Sequence, residues 1–233
     1  MRSRKLLFNT AISIIQKYNP CATWLYVPEQ RQHLYEWTSR IRNTSPQTQM
    51  WAQIGTVDEA KGMLGYSTKP DVLVVQGSES GSHGRAKDGM GLLSLLPEIV
   101  DTMAKSDIPI FAAGGIVDDG SVAASLCLGA SGVVMATRFL ASREARISPG
   151  FQTGILRANN GAVSTTRPLL CNHLRGEYGW LEDHVPWTII NKSFVEFRQG
   201  RPFEELREMR RALLGVLRAG EGSMWVSIGL SMR

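Results

Sequence analysis

The feature that most constrains this chain is a rhythm in its first 140 residues. Short apolar, β-branched runs are each followed by a stretch with helical periodicity. The runs are 23–27, 50–54, 72–76, 108–113 and 132–136, and the helical stretches are 29–42, 57–67, 90–105 and 119–129. In the last of these, Asp119 or Ser121 is placed to cap the helix before an apolar stripe of Val122, Ala123, Leu126 and Cys127. Strands that are apolar nearly throughout are buried on both faces, as in parallel sheets. Alternation at about 25–35 residues per unit therefore predicts an α/β fold of βα units. An open doubly wound sheet and a (β/α)₈ barrel both satisfy this pattern. Glycines just after the third and fourth runs favour the TIM-type barrel, where the loops following strands seven and eight commonly hold phosphate. If Gly114-Gly115 and Met135–Phe139 are those loops, the runs are the last five βα units of eight. Residues 1–143 then read as part of a barrel, and 144–233 as a helical or irregular extension packing on it. Within the extension, 144–172 reads as helix and loop, 173–200 as irregular and aromatic-rich, and Phe203–Arg218 as an amphipathic helix; 220–233 has no period.

Composition removes several function classes. With 43% hydrophobic and 20% charged residues the chain can build a core, which excludes a disordered polymer. No apolar run reaches the roughly 18 residues that span a bilayer, so no membrane partner is expected. The net charge of +5 is spread along the chain and not gathered on one face, so no nucleic-acid partner is expected either. Cys21, Cys127 and Cys171 are odd in number and far apart, and they form no metal-binding spacing. They suit a reducing compartment. The N-terminal segment is basic and acid-free but has no clean apolar core or small-residue cleavage site. A cytoplasmic location is the first expectation, and a mitochondrial presequence is the alternative.

Three segments carry chemistry. In Gly77–Arg85 three glycines let backbone approach a ligand, and His83 sits where strand-end loops of a barrel supply catalytic groups. A histidine there can be a general base near neutral pH; the plainer alternative is an incidental surface histidine. At the end of the fourth run, Gly114 and Gly115 precede a helix whose dipole favours a phosphate, although a tight turn alone would also need glycine. At the end of the fifth, Thr137 offers a hydroxyl and a backbone N–H, and Arg138 a charge. The tryptophans 24, 37, 51, 180, 187 and 225 read as core and rim packing. His33, His173 and His184 show no ligand spacing, and Arg207–Arg211 reads as a solvated helix face.

Taken together, Trp51-Ala-Gln-Ile-Gly-Thr-Val57, Pro70-Asp-Val-Leu-Val-Val-Gln-Gly77, Glu79-Ser-Gly-Ser-His-Gly84, Ala112-Ala-Gly-Gly-Ile116 and Met135-Ala-Thr-Arg-Phe139 resemble the nitronate monooxygenase family, formerly 2-nitropropane dioxygenases. Trp24-Leu-Tyr26 and Leu174-Arg-Gly176 are similar to its fungal members. The resemblance implies an FMN-dependent barrel that oxidises alkyl nitronates or nitroalkanes with O2 to carbonyl compounds and nitrite. It places His83 at the catalytic base, to take an α-proton or orient the nitronate. Gln76 and Gly77 would border the isoalloxazine ring; Gly81, Gly114, Gly115, Ala136 and Thr137 would hold the FMN phosphate. The chain departs from the family at Ser82 and Ala136, where glycines are usual, and in lacking recognisable counterparts of the first three βα units and of a C-terminal glycine-rich stretch. Open barrel edges imply self-association. Enoyl-reductase-like enzymes that use a nicotinamide fall within the same family. Two other readings stay open: an inactive paralogue acting as a partner subunit, and a flavin-free phosphate-binding barrel enzyme.

Overall fold

The computed structural model describes residues 2–28, 31–181 and 183–218; the tail 220–233, including Trp225, lies outside them. Along the chain run α1 (Arg2–Tyr18), β1 (Ala22–Leu25), α2 (Arg31–Thr44), β2 (Gln49–Ile54), α3 (Val57–Leu64), β3 (Val72–Gln76), β4 (Ser82–Arg85), α4 (Leu92–Met103), β5 (Ile110–Ala113), α5 (Asp119–Cys127) and β6 (Gly132–Val134). Then come α6 (Thr137–Leu140), α7 (Pro149–Arg157), α8 (Gly161–Ser164), β7 (Thr165–Thr166), α9 (Leu170–Arg175), β8 (His184–Ile189), α10 (Lys192–Arg198) and α11 (Phe203–Arg218). The described residues divide into two units, those up to 78 with 89–134, and 79–88 with those from 135 onward.

The first unit is a five-stranded sheet in the order β1-β2-β3-β5-β6, parallel throughout. Spatial order follows chain order, so the sheet has none of the reversal that defines a doubly wound fold. The result is an α/β architecture of the TIM type. Expectation and structure differ in burial. The central strand β3 is buried on both faces from Val72 to Val75, and β5 is buried except at Phe111, whereas β2 alternates and β6 is half-buried throughout. On one face Met50 packs with Ile12 and Ile15 of α1 and Ile41 of α2. On the other, Val72, Val74 and Ala113 meet Trp51, Phe111 and Val134. Polar groups brace the frame: Asp71 accepts from Arg42 and from the Met50 amide, both at 2.6 Å. The helix after β2 starts at a capping box, in which Thr56 accepts from the Glu59 amide and Glu59 accepts from Thr56 N–H.

Two details of α5 correct the sequence reading. Its cap is Asp118, which accepts from the Ser121 amide at 2.8 Å, while Ser121 accepts from the Asp118 amide in return. The stripe through Ala123, Leu126 and Cys127 is exposed, Leu126 by 49%, and the buried residue is Ser125.

The second unit is built on a three-stranded sheet, β4-β8-β7, with antiparallel pairs. Neither long partner was expected as a strand: β4 lies in the segment read as a loop, and β8 in the segment read as irregular. Leu170 and Leu174 of α9 and Leu206 of α11 form its buried cluster, with Phe194 and Phe203 packed against it. The helix read at Phe203–Arg218 is present with those bounds.

Candidate functional site

In the first unit the residues of interest stand at the C-terminal ends of neighbouring strands. Gln76 closes β3 in register with Ala113 of β5. Gly77 is buried, and its amide donates to the Ala113 carbonyl at 2.9 Å. That N–H therefore extends the ladder and does not point to a ligand. Immediately after β5, Gly114 and Gly115 have φ values of 106° and 69°. Two successive left-handed positions suit glycine alone without strain. The turn they make is held from its far side, where Ser121 Oγ accepts from the Val117 and Asp118 amides, each at 3.0 Å. This strand end presents backbone without side chains, the arrangement a phosphate needs.

In the second unit, His83 lies near the middle of β4 and is only 5% exposed. Pairing with β8 places it opposite Pro186. Trp180 covers one face of the imidazole, with ring centroids 3.5 Å apart and planes 6° from parallel. Asn172, on α9, sits 2.8 Å from His83 Nε2 through its Nδ2. Asn172 Oδ1 accepts from Arg175 Nη2 at 2.9 Å, and the same Arg175 nitrogen meets Glu177 at 3.1 Å. Burial, then the charge of Arg175, lowers the His83 pKa to about 4, so the ring is neutral at physiological pH.

The segment entering β4 is also held. Arg167 donates to the carbonyls of Ser80 at 3.0 Å, Gly84 at 3.3 Å and Val185, and its guanidinium lies over the Trp187 ring at 4.8 Å. Gly81 is closely packed: a Cβ there would stand 3.0 Å from Thr137 Oγ1, which would have to shift. Thr137 begins the short helix α6, with Ala136 in the capping position, and both are exposed. Ser82 adopts φ of 64°, a left-handed conformation that non-glycine residues rarely take.

The structure thus groups Gln76, Gly77, Gly114 and Gly115 within one unit, and Gly81, His83, Ala136 and Thr137 within the other. Sequence reasoning missed Asn172, Arg175, Trp180 and Arg167. In the sequence Trp180 reads as packing, and Arg175 stands out only as the middle of Leu174-Arg-Gly176. Among the described residues no group of three or more His, Cys, Asp or Glu side chains is placed to hold a metal, and no helix is long and apolar enough to cross a membrane.

A parallel sheet whose spatial order follows chain order defines an α/β protein of the TIM type. The solved structure of FabK from Thermotoga maritima has the same fold, with a TM-score of 0.64 at 21% identity over 93% of this chain and 63% of that one. The nitronate monooxygenase family profile matches residues 40–231, and the chain belongs to that family. It is 50% identical over 200 residues to the nitronate monooxygenase npaC of Metarhizium robertsii, covering 85% of this chain and 56% of the relative. It is 29% identical over 212 residues to the nitronate monooxygenase of Neurospora crassa, covering 84% and 54%. The chain spans about half the length of these curated relatives. The family is flavin-dependent.

Proposed function

We propose that this chain belongs to an FMN-dependent oxidoreductase that oxidises alkyl nitronates with O2 to carbonyl compounds and nitrite. In this reading His83 is the catalytic residue, and Gln76, Gly77, Gly81, Gly114, Gly115, Ala136 and Thr137 contact the cofactor. Residues 1–143 supply five βα units of an incomplete barrel, and 144–233 an extension. The open strand edges support self-association, and three free cysteines suit a reducing, cytoplasmic setting. Bound FMN would supply the redox chemistry between substrate and O2.

The residues present fit that cofactor. Gly114 and Gly115 carry no side chain where a phosphate would approach, and a side chain at Gly81 would crowd the Thr137 hydroxyl. Gly77 contributes its carbonyl and lack of side chain only, its N–H being held by Ala113. The observation that carries the reading is His83 itself: a buried, neutral imidazole, stacked on Trp180 and hydrogen-bonded to Asn172. An incidental surface histidine would have none of these partners. The test is the visible spectrum of the purified chain after incubation with FMN and desalting, followed by nitrite release from propyl-2-nitronate in air. Retained flavin absorbance and nitrite production are expected. A folded, colourless chain would overturn the reading in favour of a partner subunit.

A further inference from the structure

Whether an imidazole serves as a base or as a donor depends on which nitrogen holds its proton, and its neighbours decide that. His83 Nε2 faces the amide of Asn172 at 2.8 Å. An amide offers two donors at one end and an acceptor at the other, so its orientation must come from its remaining partners. Here the decisive partner is Arg175, a guanidinium with donors only, 2.9 Å from Asn172 Oδ1. Turning the amide round would set its NH2 against those donors, at a residue that is 1% exposed. Burial makes such a mismatch costly, because neither group can turn to water instead. The oxygen therefore stays on Arg175, the NH2 donates to Nε2, and Nε2 must be the nitrogen with the lone pair. An Asn172 oxygen facing the ring would favour the imidazolium; the Arg175 bond turns that oxygen away.

Two of the three charged or titratable groups around His83 act in the same direction. Arg175 from α9 disfavours a second positive charge, as does His184 from β8, while Glu177 opposes them. Glu177 is itself engaged by Arg175. Trp180 closes one ring face with an apolar surface.

We propose that Arg175 and Asn172 are positioning residues that hold His83 as a neutral imidazole with its lone pair on Nε2 and its proton on Nδ1. This rests on the assignment of His83 as the catalytic residue made above, but its test does not require bound flavin. Long-range 1H–15N correlation of the full chain with labelled histidine reports the tautomer directly, because a lone-pair nitrogen resonates far downfield of a protonated one. Four histidines give few signals, and His83→Gln assigns the one in question. The expected result at pH 7 is a lone-pair Nε2, a protonated Nδ1, and no titration of this ring between pH 6 and 7.

Asn172→Asp replaces the donor by an acceptor, so the proton should move to Nε2 and the ring should titrate above its ordinary value. Arg175→Lys keeps a donor and a charge and should preserve the wild-type tautomer, whereas Arg175→Gln should shift the titration upward. A wild-type ring protonated at Nε2, or an Asn172→Asp ring with its tautomer unchanged, would overturn the proposal. The wild-type spectrum decides the point even if a variant fails to fold. A chain with the expected tautomer that retains no FMN would retire the flavin reading and leave the positioning assignment standing.

Discussion

At the scale of single residues, two positions make measurable statements. Ser82 occupies a left-handed conformation, φ 64°, directly before the catalytic candidate. Such a conformation costs an L-residue about 1–2 kcal/mol, part of which glycine loses again in unfolded-chain entropy. Ser82→Gly is therefore expected to stabilise the chain by roughly 0.5–1 kcal/mol, read as a rise of about 2 °C in Tm. His83 makes the second statement. Its folded pKa of about 4 lies below the unfolded value of 6.5. Between those values the unfolded chain binds a proton that the folded chain refuses, so stability is retained above pH 6.5 and lost as pH falls toward 4. The loss is on the order of 3 kcal/mol when complete. Thermal unfolding between pH 7 and 4.5 should thus weaken the wild type more steeply than His83→Gln, and parallel curves would show that burial does not depress this group.

At the scale of elements, local signals and long-range pairing separate cleanly. The strands β1, β2, β3, β5 and β6 and the helices α2, α3, α4 and α5 announce themselves by periodicity, and Phe203–Arg218 does so by its amphipathic repeat. β4 and β8 do not. Ser-His-Gly-Arg has little strand propensity, and Pro186 inside His184–Ile189 counts against a strand. Each becomes a strand because the other is there, in register from Ser82 opposite Trp187 to Arg85 opposite His184. The α5 stripe misleads for the reverse reason: its apolar spacing is genuine, but in this sheet the residue facing inward is Ser125. Arg167 ties the β4 segment to β8 through three carbonyls. Arg167→Met removes these three bonds and should cost about 1–3 kcal/mol, with faster amide exchange across residues 79–85. Arg167→Lys should restore only part of this, since an ammonium lacks the planar fork and the stack on Trp187.

At the scale of the molecule, the described parallel sheet ends at β1 and β6, and both strands carry half-exposed apolar residues, Trp24 among them at 39%. If the glycine turn after β5 holds a phosphate, FMN should stabilise the whole chain by mass action. At a concentration of 100 times Kd the gain is about 2.7 kcal/mol, a shift of several degrees in Tm. Riboflavin, which lacks the phosphate, should give a markedly smaller shift at equal concentration. Equal shifts would remove Gly114 and Gly115 from the phosphate site.

The sequence by itself determined the βα framework, the positions of the glycine turns and the family, because periodicity and short motifs are properties of neighbouring residues. It also singled out His83. What only the tertiary structure decided is the state of that histidine. Its partner Asn172 lies 89 residues away in the chain, Arg175 acts on it through that amide, and Trp180 reaches it from a segment with no regular pattern of its own. Burial and a distant charge set the proton on an imidazole, and neither is written in the residues beside it.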